Sequence, residues 1–470
     1  MDRSKGWCWA AVIVLCAACG GRTEFLDGEL GASSAGTSSR NSGSSGTGNT
    51  HSIGSAGSSS FAGTASSFGG GTGFGGTASS FGGDSSGGDG GTPSSTTAPQ
   101  SFMPPAIGSA PPGGEATNVG LDAAHDNLQP GSAVASPLAR QWTATFNDTV
   151  RYPLVANQRV YVLVEGSQLT LSALRVDTGK VIWGPAIVGG GSLGLAYDQE
   201  RLFSVDINGN LSAFDASTGQ LLWTTPLVAQ YAFSSAPVAL GGKVYVNGAG
   251  EGGTTFAVDG ASGKILWQAD TFDGSEGSVA TVGSKVYEAE ACDQLSVFET
   301  ASGKLDWFHE GNCTGGGGAT PSVYGNWIWE FDWAEGNVIL DMGGNEHGAF
   351  DADQPLAFDQ GMVFYQKAGV LSAVDVASNL QRWTFTRTKT TLDTTALCFG
   401  PVAAGQNHRV FVASSEPILF EIDDASGSII STDMLGPSTL PGALQTGCPA
   451  PLAIAENRLF VPFANFLFAY

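Results

Sequence analysis

From Arg140 onward, short apolar stretches alternate with turns that contain Gly, Asn or Asp, and this pattern is typical of half-buried β-strands. It returns about every forty residues, each time with four strands. An apolar strand such as SAPVAL (235–240) precedes a strand of the KVYV type, a strand such as LSAFD (211–215) and a strand carrying Trp. An Asp-x-x-Thr/Ser-Gly turn joins the last two, since Gly accepts a positive φ. Each copy therefore predicts one antiparallel blade of a β-propeller.

Counting the copies predicts a closed ring. The second strands are predicted to begin at eight positions, namely 159, 201, 243, 285, 327, 362, 409 and 458. The last copy has no turn and no Trp strand of its own, whereas RQWTATF (140–146) is a Trp strand with no copy before it. We therefore predict an all-β, eight-bladed β-propeller of four-stranded blades over residues 140–470, closed by the strand near Trp142. The repeated indoles are expected to pack between blades as structural residues: Trp142, Trp183, Trp223, Trp267, Trp307 and Trp383.

Residues 1–19 have a basic head followed by an apolar run, and they predict an export signal too short to anchor the chain as a membrane span. The end of this segment, LCAAC, resembles a bacterial lipoprotein signal, in which the Cys after two small residues carries the lipid. Here that residue is Cys19, and the Gly20 that follows it points to the outer membrane. The alternative is an ordinary cleaved secretory signal. We expect an outer-membrane lipoprotein, on the periplasmic side or at the cell surface.

Residues 20–139 are predicted to form a disordered tether. The segment is rich in Gly, Ser and Thr, and the phrase GTASSFGG occurs at 63–70 and again at 76–83. Such a composition buries too little apolar surface to offset the entropy lost on ordering the chain.

Charge and motifs narrow the function classes. A net charge of −23 argues against nucleic acid and anionic membrane surfaces as partners. The chain has five His residues, two of them in the tether, and no HExxH zinc motif. We therefore predict no catalytic residue from motifs.

The recurring phrase AxDxxTGxxxW resembles the repeat of the pyrroloquinoline-quinone (PQQ) propeller family. One copy carries it on Ala213, Asp215, Thr218, Gly219 and Trp223. The resemblance covers residues 140–470, but the fifth copy is degraded, the sixth has Asn379 in place of Gly, and the seventh lacks the Trp. The family contains quinoprotein dehydrogenases and also non-enzymatic scaffolds, such as the propeller lipoprotein of the outer-membrane β-barrel assembly machinery.

The dehydrogenase members imply a quinone on the propeller axis, a calcium ion, an Asp base and often a disulfide between adjacent Cys residues. No two Cys residues are adjacent in this chain. We therefore expect a non-catalytic envelope scaffold that binds a protein or a glycan, with no cofactor. The alternatives are an oxidoreductase that uses PQQ and Ca²⁺, or a carbohydrate-binding propeller.

One group of acidic and aromatic residues is a candidate ligand site. The second strands of the fourth and fifth copies end in carboxylates at matching places, where a cation or basic ligand could bind: Glu288, Glu290, Glu330 and Asp332. The fifth copy also predicts an aromatic platform suited to a sugar or quaternary amine: Trp327, Trp329 and Trp333. The alternative is that the aromatics are core residues between blades and that the acids extend into solvent.

The Cys residues after the signal are even in number, which suits an oxidising compartment. We predict two structural bridges, Cys292–Cys313 and Cys398–Cys448. The first pair lies in loops expected to open on the same face of neighbouring blades, and the second pair starts the first strands of the last two copies.

Overall fold

The computed structural model describes residues 114–190, 194–228, 232–249, 252–311, 317–331, 337–386, 403–436 and 449–470. Within these ranges the regular structure is all β, in eight sheets of four or five strands. The first strands of successive blades lie beside one another, and those of the last and first blades also meet, so the sheets form a closed ring. The predicted eight-bladed propeller is confirmed. None of the described residues forms a helix long and apolar enough to cross a membrane.

Each blade runs outward from the axis in chain order, and the blades are numbered 1 to 8 from residue 154. The innermost strands are Leu154–Ala156, Ala196–Asp198, Val238–Leu240, Ala280–Val282, Ser322–Tyr324, Ala357–Asp359, Ala403–Gly405 and Ala453–Ala455. The second strands are Arg159–Glu165, Arg201–Val205, Lys243–Gly248, Lys285–Glu290, Trp327–Glu330, Met362–Lys367, Arg409–Ala413 and Arg458–Phe463. All eight begin where the sequence predicts.

The outer half of each blade completes the sheet. The third strands are Leu169–Arg175, Asn210–Asp215, Thr254–Asp259, Gln294–Glu299, Asn337–Asp341, Val370–Asp375, Ile418–Asp423 and Phe466–Ala469. The outermost strands of blades 1 to 7 are Val181–Ile187, Leu221–Pro226, Ile265–Asp270, Leu305–His309, Glu346–Phe350, Leu380–Thr386 and Ile429–Met434. Two short strands stand outside this scheme: Thr149–Val150 pairs with the second strand of blade 1, and Leu128–Gln129 pairs in parallel with the innermost strand of blade 7.

Blade 8 is closed by the strand Trp142–Thr145, which pairs antiparallel with Phe466–Ala469, and the predicted closure is confirmed. Arg140, just before this strand, forms an ion pair with Asp433 at 2.5 Å. Its guanidinium also lies 4.3 Å from the centre of the Phe468 ring. These contacts fasten the closing strand to blade 7 as well as to blade 8.

The repeated Trp side chains pack against the turn of the following blade. A Cβ built on the turn residue Gly303 would lie 2.5 Å from the ring of Trp267, so glycine is required for this close approach. The same pairing occurs six times: Trp142 with Gly179, Trp183 with Gly219, Trp223 with Gly263, Trp267 with Gly303, Trp307 with Gly344 and Trp383 with Gly427. In five of the six, the indole N–H also donates to a carbonyl beside that turn. The Trp and Gly of one repeat phrase therefore serve different interfaces.

This pairing explains where the repeat is degraded. In blade 5, Gly348 occupies the strand register that Trp holds elsewhere, and no atom lies within 4 Å of where its Cβ would be. The turn that would meet this Trp is in blade 6, where Asn379 replaces Gly and adopts a φ of 53°. In blade 7, Ser431 stands in the Trp register. Blade 8 has no corresponding turn, because its outermost strand comes from residues 142–145. The Trp and the facing Gly are lost together.

Residues that contact the ring are found before the predicted boundary at Arg140. Residues 114–139 are described by the structure, and many of them are buried. The prediction of a tether up to residue 139 is therefore wrong for its last 26 residues, because they make contacts with the ring that composition does not reveal. The earlier part of the tether, together with the signal and Cys19, lies outside the described residues.

Candidate functional site

Residues 114–132, here called the axial segment, run around the inside of the ring. In blades 1 to 7, the backbone N–H of the middle residue of the innermost strand donates to an oxygen of this segment, at 2.6–3.1 Å. The donors are Val155, Tyr197, Ala239, Thr281, Val323, Phe358 and Ala404, and the acceptors lie on Ala116, Thr117, Asn118, Ala123, Ala124, Asp126 and Asn127. These hydrogen bonds satisfy backbone N–H groups of the innermost strands. The groups face the axis and would otherwise need water as their hydrogen-bond partner.

Blade 8 completes the circle through two further contacts. The Glu456 N–H donates to the Gly114 carbonyl at 3.3 Å, and the Asn457 N–H donates to the Ser132 hydroxyl at 2.8 Å. The two ends of the axial segment therefore meet at the same blade, and all eight blades contact it.

Buried polar side chains lock the axial segment in place. Asn118 is 2% exposed and bonds both the N–H and the carbonyl of Ala239, at 2.9 and 3.2 Å. His125 is equally buried, and its ring nitrogens lie 2.6 Å from the Val119 carbonyl and 2.8 Å from the Val279 carbonyl. Burial lowers the pKa of His125. The sequence analysis assigned His125 to the tether and missed this role, although residues 115–129 lack the Gly/Ser repeats found upstream.

Two carboxylates of the axial segment are shielded from solvent, since Asp126 is buried and Asp122 is partly buried. Asp122 accepts hydrogen bonds from the backbone N–H groups of Ala124 and His125, at 2.9 and 3.0 Å. Burial nevertheless raises the pKa of Asp122 to about 6. Burial, reinforced by the charge of Asp122, raises the pKa of Asp126 well above its usual value.

A small cavity remains beside the axial segment, with a volume of about 60 Å³. Its wall includes Ser235, Glu276 and Phe331 from the ring, and its floor includes His125 and Asn127. Since a water molecule occupies about 30 Å³ in the liquid, this space is of the size that holds a few waters. Ligand pockets typically measure about 300–1,000 Å³.

The predicted acidic residues are buried and point into two different interfaces. Successive side chains of a strand alternate between its two faces. Glu288 and Glu290 share the face of Val286, which packs against blade 3, whereas Glu330 shares the face of Ile328, which packs against blade 4. The structure thus does not gather the predicted carboxylates into one exposed site. Asp332 lies outside the described residues.

Glu290 is held in a hydrogen-bonded setting at the interface between blades 3 and 4. It accepts from the Asp273 N–H at 2.6 Å and from the Ser296 hydroxyl. Burial raises the pKa of Glu290 to about 7. Burial, together with the nearby charge of Glu290, also raises the pKa of Glu288 well above its usual value. The raised pKa values favour the protonated, uncharged form of both carboxyl groups.

The predicted aromatic platform lies largely in the core. Trp329 is 2% exposed, and its ring meets Phe350 and Phe358 edge-on at 5.2 and 5.5 Å. Trp327 is partly buried and packs edge-on against His347. Trp333 lies outside the described residues. The described aromatics therefore connect blades 5 and 6 and do not form an open surface.

Cys292 is buried, adopts a φ of 68° and is disulfide-bonded. Its predicted partner Cys313 lies outside the described residues, as do Cys398 and Cys448. Both pairings stay predictions.

The sequence is similar to known proteins over part of its length. Residues 167–311 match the family model described as outer membrane protein assembly factor BamB. The chain is also 32% identical over 143 residues to the dehydrogenase subunit of the quinone-type alcohol dehydrogenase of Gluconobacter oxydans (strain 621H). That match covers 25% of this chain and 18% of the dehydrogenase subunit, so it spans less than a fifth of that relative's length.

The fold is shared with solved structures of both kinds. BamB from Moraxella catarrhalis superposes with a TM-score of 0.53 at 16% identity, covering 71% of this chain and 99% of that one. Quinohemoprotein alcohol dehydrogenase from Comamonas testosteroni gives a TM-score of 0.56 at 13% identity, covering 76% and 80%. The predicted resemblance to PQQ-like propellers is thus confirmed, and at these identities it shows the fold alone.

Proposed function

We propose that this chain is a non-catalytic scaffold of the cell envelope, whose propeller binds a protein partner. The observation that carries the proposal is the axial segment, which occupies the propeller axis and contacts every blade. In the dehydrogenase alternative, the quinone would lie on this axis. Here the axis is filled by the chain itself.

The residues on the axis do not fit a tricyclic quinone. The cavity of about 60 Å³ that remains is several times smaller than an ordinary ligand pocket. Making room would require removal of residues such as Asn118 and His125, whose buried polar atoms are bonded to blades 3 and 4. Each such group would then lose its partners, at a cost of about 1–3 kcal/mol. This disagreement favours the scaffold over the oxidoreductase.

The outer rim of the ring offers a surface for a protein partner. Among the described residues, the outermost strand of each blade pairs on one side only, and its other edge could accept an added strand. Exposed apolar side chains recur at the start of these strands: Val181, Ile182, Leu221, Leu222, Leu266, Leu305, Leu380, Ile429 and Ile430. Apolar side chains beside free strand edges suit an extended peptide that adds to a blade.

The envelope location rests on the first residues of the chain. We propose that Cys19 is lipidated and that the segment up to residue 113 links the ring to the outer membrane. The match of residues 167–311 to a family model described as an outer membrane protein assembly factor supports this location.

The first experiment separates the scaffold from the oxidoreductase. Purified full-length protein is mixed with PQQ and Ca²⁺, then freed of unbound quinone and assayed for quinone absorbance and for dye reduction with alcohols or sugars. We expect no retained quinone and no dye reduction. One retained quinone per chain, with alcohol-dependent dye reduction, would overturn the proposal.

The second experiment tests the rim. A photo-crosslinking amino acid is placed at Leu222 or Leu266 on the rim, and at Leu240, an exposed residue that ends an innermost strand, as the matched control. In cells, we expect the rim positions to crosslink to a discrete envelope protein and the control position not to. Crosslinking from Leu240 alone, or from none of the three, would contradict a partner docked on the rim.

A further inference from the structure

Blades 6 and 7 bring three metal-ligating side chains together near the turns of the ring. Asp359 ends the innermost strand of blade 6, His408 lies in the first turn of blade 7, and Asp424 follows the third strand of blade 7. One ligand atom from each residue lies within 4.8 Å of the other two. Two carboxylate oxygens and one imidazole nitrogen are thus gathered from separate parts of the chain.

The other blades show that this combination is particular to one interface. In most blades, the residue after the third strand donates its N–H to the carbonyl of the first turn, as Asp424 does to His408 at 3.2 Å. At that position the preceding blades carry only uncharged residues: Val176, Ala216, Gly260, Thr300, Met342 and Val376. The backbone hydrogen bond made at this position therefore needs no carboxylate, so the acidic side chain of Asp424 requires another explanation.

Asp424 is buried and has a carboxylate oxygen without a partner. Its side chain is 5% exposed, and Oδ1 accepts no hydrogen bond although it is shielded from solvent. A buried acceptor left unpaired is unfavourable, and more so when it carries charge. Oδ2 lies 3.2 Å from His408 Nδ1. This carboxylate therefore has one oxygen on the imidazole and one that no N–H or O–H group of the described residues satisfies.

Two buried carboxylates meet here, and the imidazole of His408 faces one of them. Asp359 is 8% exposed, and its carboxyl group lies beside that of Asp424. Among the residues that the structure describes, no lysine or arginine forms an ion pair with either carboxylate. A divalent cation would neutralise both charges at once.

We propose that Asp359, His408 and Asp424 bind a divalent transition-metal ion that links blade 6 to blade 7. Two ligands at about 2.0–2.1 Å from one ion lie about 3.3 Å apart in tetrahedral geometry, close to the 3.2 Å between His408 and Asp424. Imidazole together with carboxylates favours zinc and similar ions over magnesium or calcium. The side chain of His408 is 53% exposed, which leaves an open side for a water ligand.

The surroundings hold the three ligands in place. Asp424 is fixed at both ends of its backbone, since its carbonyl accepts the indole N–H of Trp383 at 2.6 Å and its own N–H is bonded to His408. Gln360 places its side-chain amide 3.3 Å from His408 Nε2. When Nδ1 binds the ion, Nε2 carries the proton of the imidazole. A 180° flip of the Gln360 amide then places its oxygen where it accepts the hydrogen bond from Nε2–H.

The test uses tag-free, full-length protein that has been stripped with a chelator. Zn²⁺ is titrated by calorimetry, and Co²⁺ is added as a spectroscopic probe of the ligand field. We expect one ion per chain, and visible Co²⁺ bands that Zn²⁺ displaces. His408→Gln, at an exposed position, and the isosteric Asp424→Asn should each weaken binding by at least about tenfold.

His347→Gln is the matched control, because His347 also pairs with an aspartate, Asp341, at 3.0 Å, but belongs to no three-residue cluster among the described residues. It should bind Zn²⁺ like the wild type. Far-UV circular dichroism verifies that each variant is folded. The proposal fails if the wild type shows no saturable binding of one ion, or if His408→Gln and Asp424→Asn bind Zn²⁺ as tightly as His347→Gln.

Discussion

The contact between Trp267 and Gly303 gives a sharp test of how neighbouring blades are joined. Gly303 adopts a φ of 68°, so Gly303→Ala costs about 1–2 kcal/mol for the left-handed backbone alone. The new Cβ would also lie 2.5 Å from the Trp267 ring, which is 8% exposed and is flanked by Tyr245 and Phe298. The ring has little room to retreat, and overpacking adds about 1–3 kcal/mol. We expect Gly303→Ala to lower the free energy of unfolding by about 2–5 kcal/mol.

Asn379→Ala is the matched control, because Asn379 has a φ of 53° at the same place in a turn that no Trp faces. It should cost about 1 kcal/mol, which is the backbone contribution without the clash. Urea denaturation followed by far-UV circular dichroism measures both variants, since fluorescence would respond to the altered Trp environment. In a Trp267→Ala background, the cost of Gly303→Ala should fall to the backbone contribution of about 1–2 kcal/mol. Equal costs of the two single variants in the wild-type background would refute the reasoning.

Three further predictions concern the axis, a buried acid and the cysteines. Asn118→Ala should lower the free energy of unfolding by about 2–4 kcal/mol, measured by urea denaturation, because it leaves the N–H and carbonyl of Ala239 unpaired. The pKa of Glu290 is raised from 4.5 to about 7, so its contribution to stability is present below pH 4.5 and is lost as the pH rises through 7. Relative to Glu290→Gln, the wild type should lose up to about 3 kcal/mol of stability between pH 4.5 and pH 7.5; a constant difference would contradict the raised pKa. Non-reducing peptide mapping should find the bridges Cys292–Cys313 and Cys398–Cys448, and free thiols at these positions would disprove them.

Much of the ring could be predicted from local patterns, and the candidate site could not. The second strands and the closing strand at Trp142 follow from a repeat that recurs in phase, because each blade is a local unit of short strands and turns. Glu288 and Glu330 occupy the same position in successive copies of the repeat, and this suggested that their carboxylates form one site. They point into different interfaces because each faces the blade before its own, so Glu288 faces blade 3 and Glu330 faces blade 4.

By itself, the sequence determined the number of blades, their strand order and the closure of the ring, since the apolar alternation, the turn residues and the period near forty leave few other arrangements. Only the tertiary structure decided what fills the axis. The axial segment has no repeat of its own, and it is ordered because seven innermost strands and the first turn of blade 8 present N–H groups to one place. The tertiary structure likewise brought Asp359, His408 and Asp424 together, because the turns of adjacent blades meet in space while lying up to 65 residues apart in the chain.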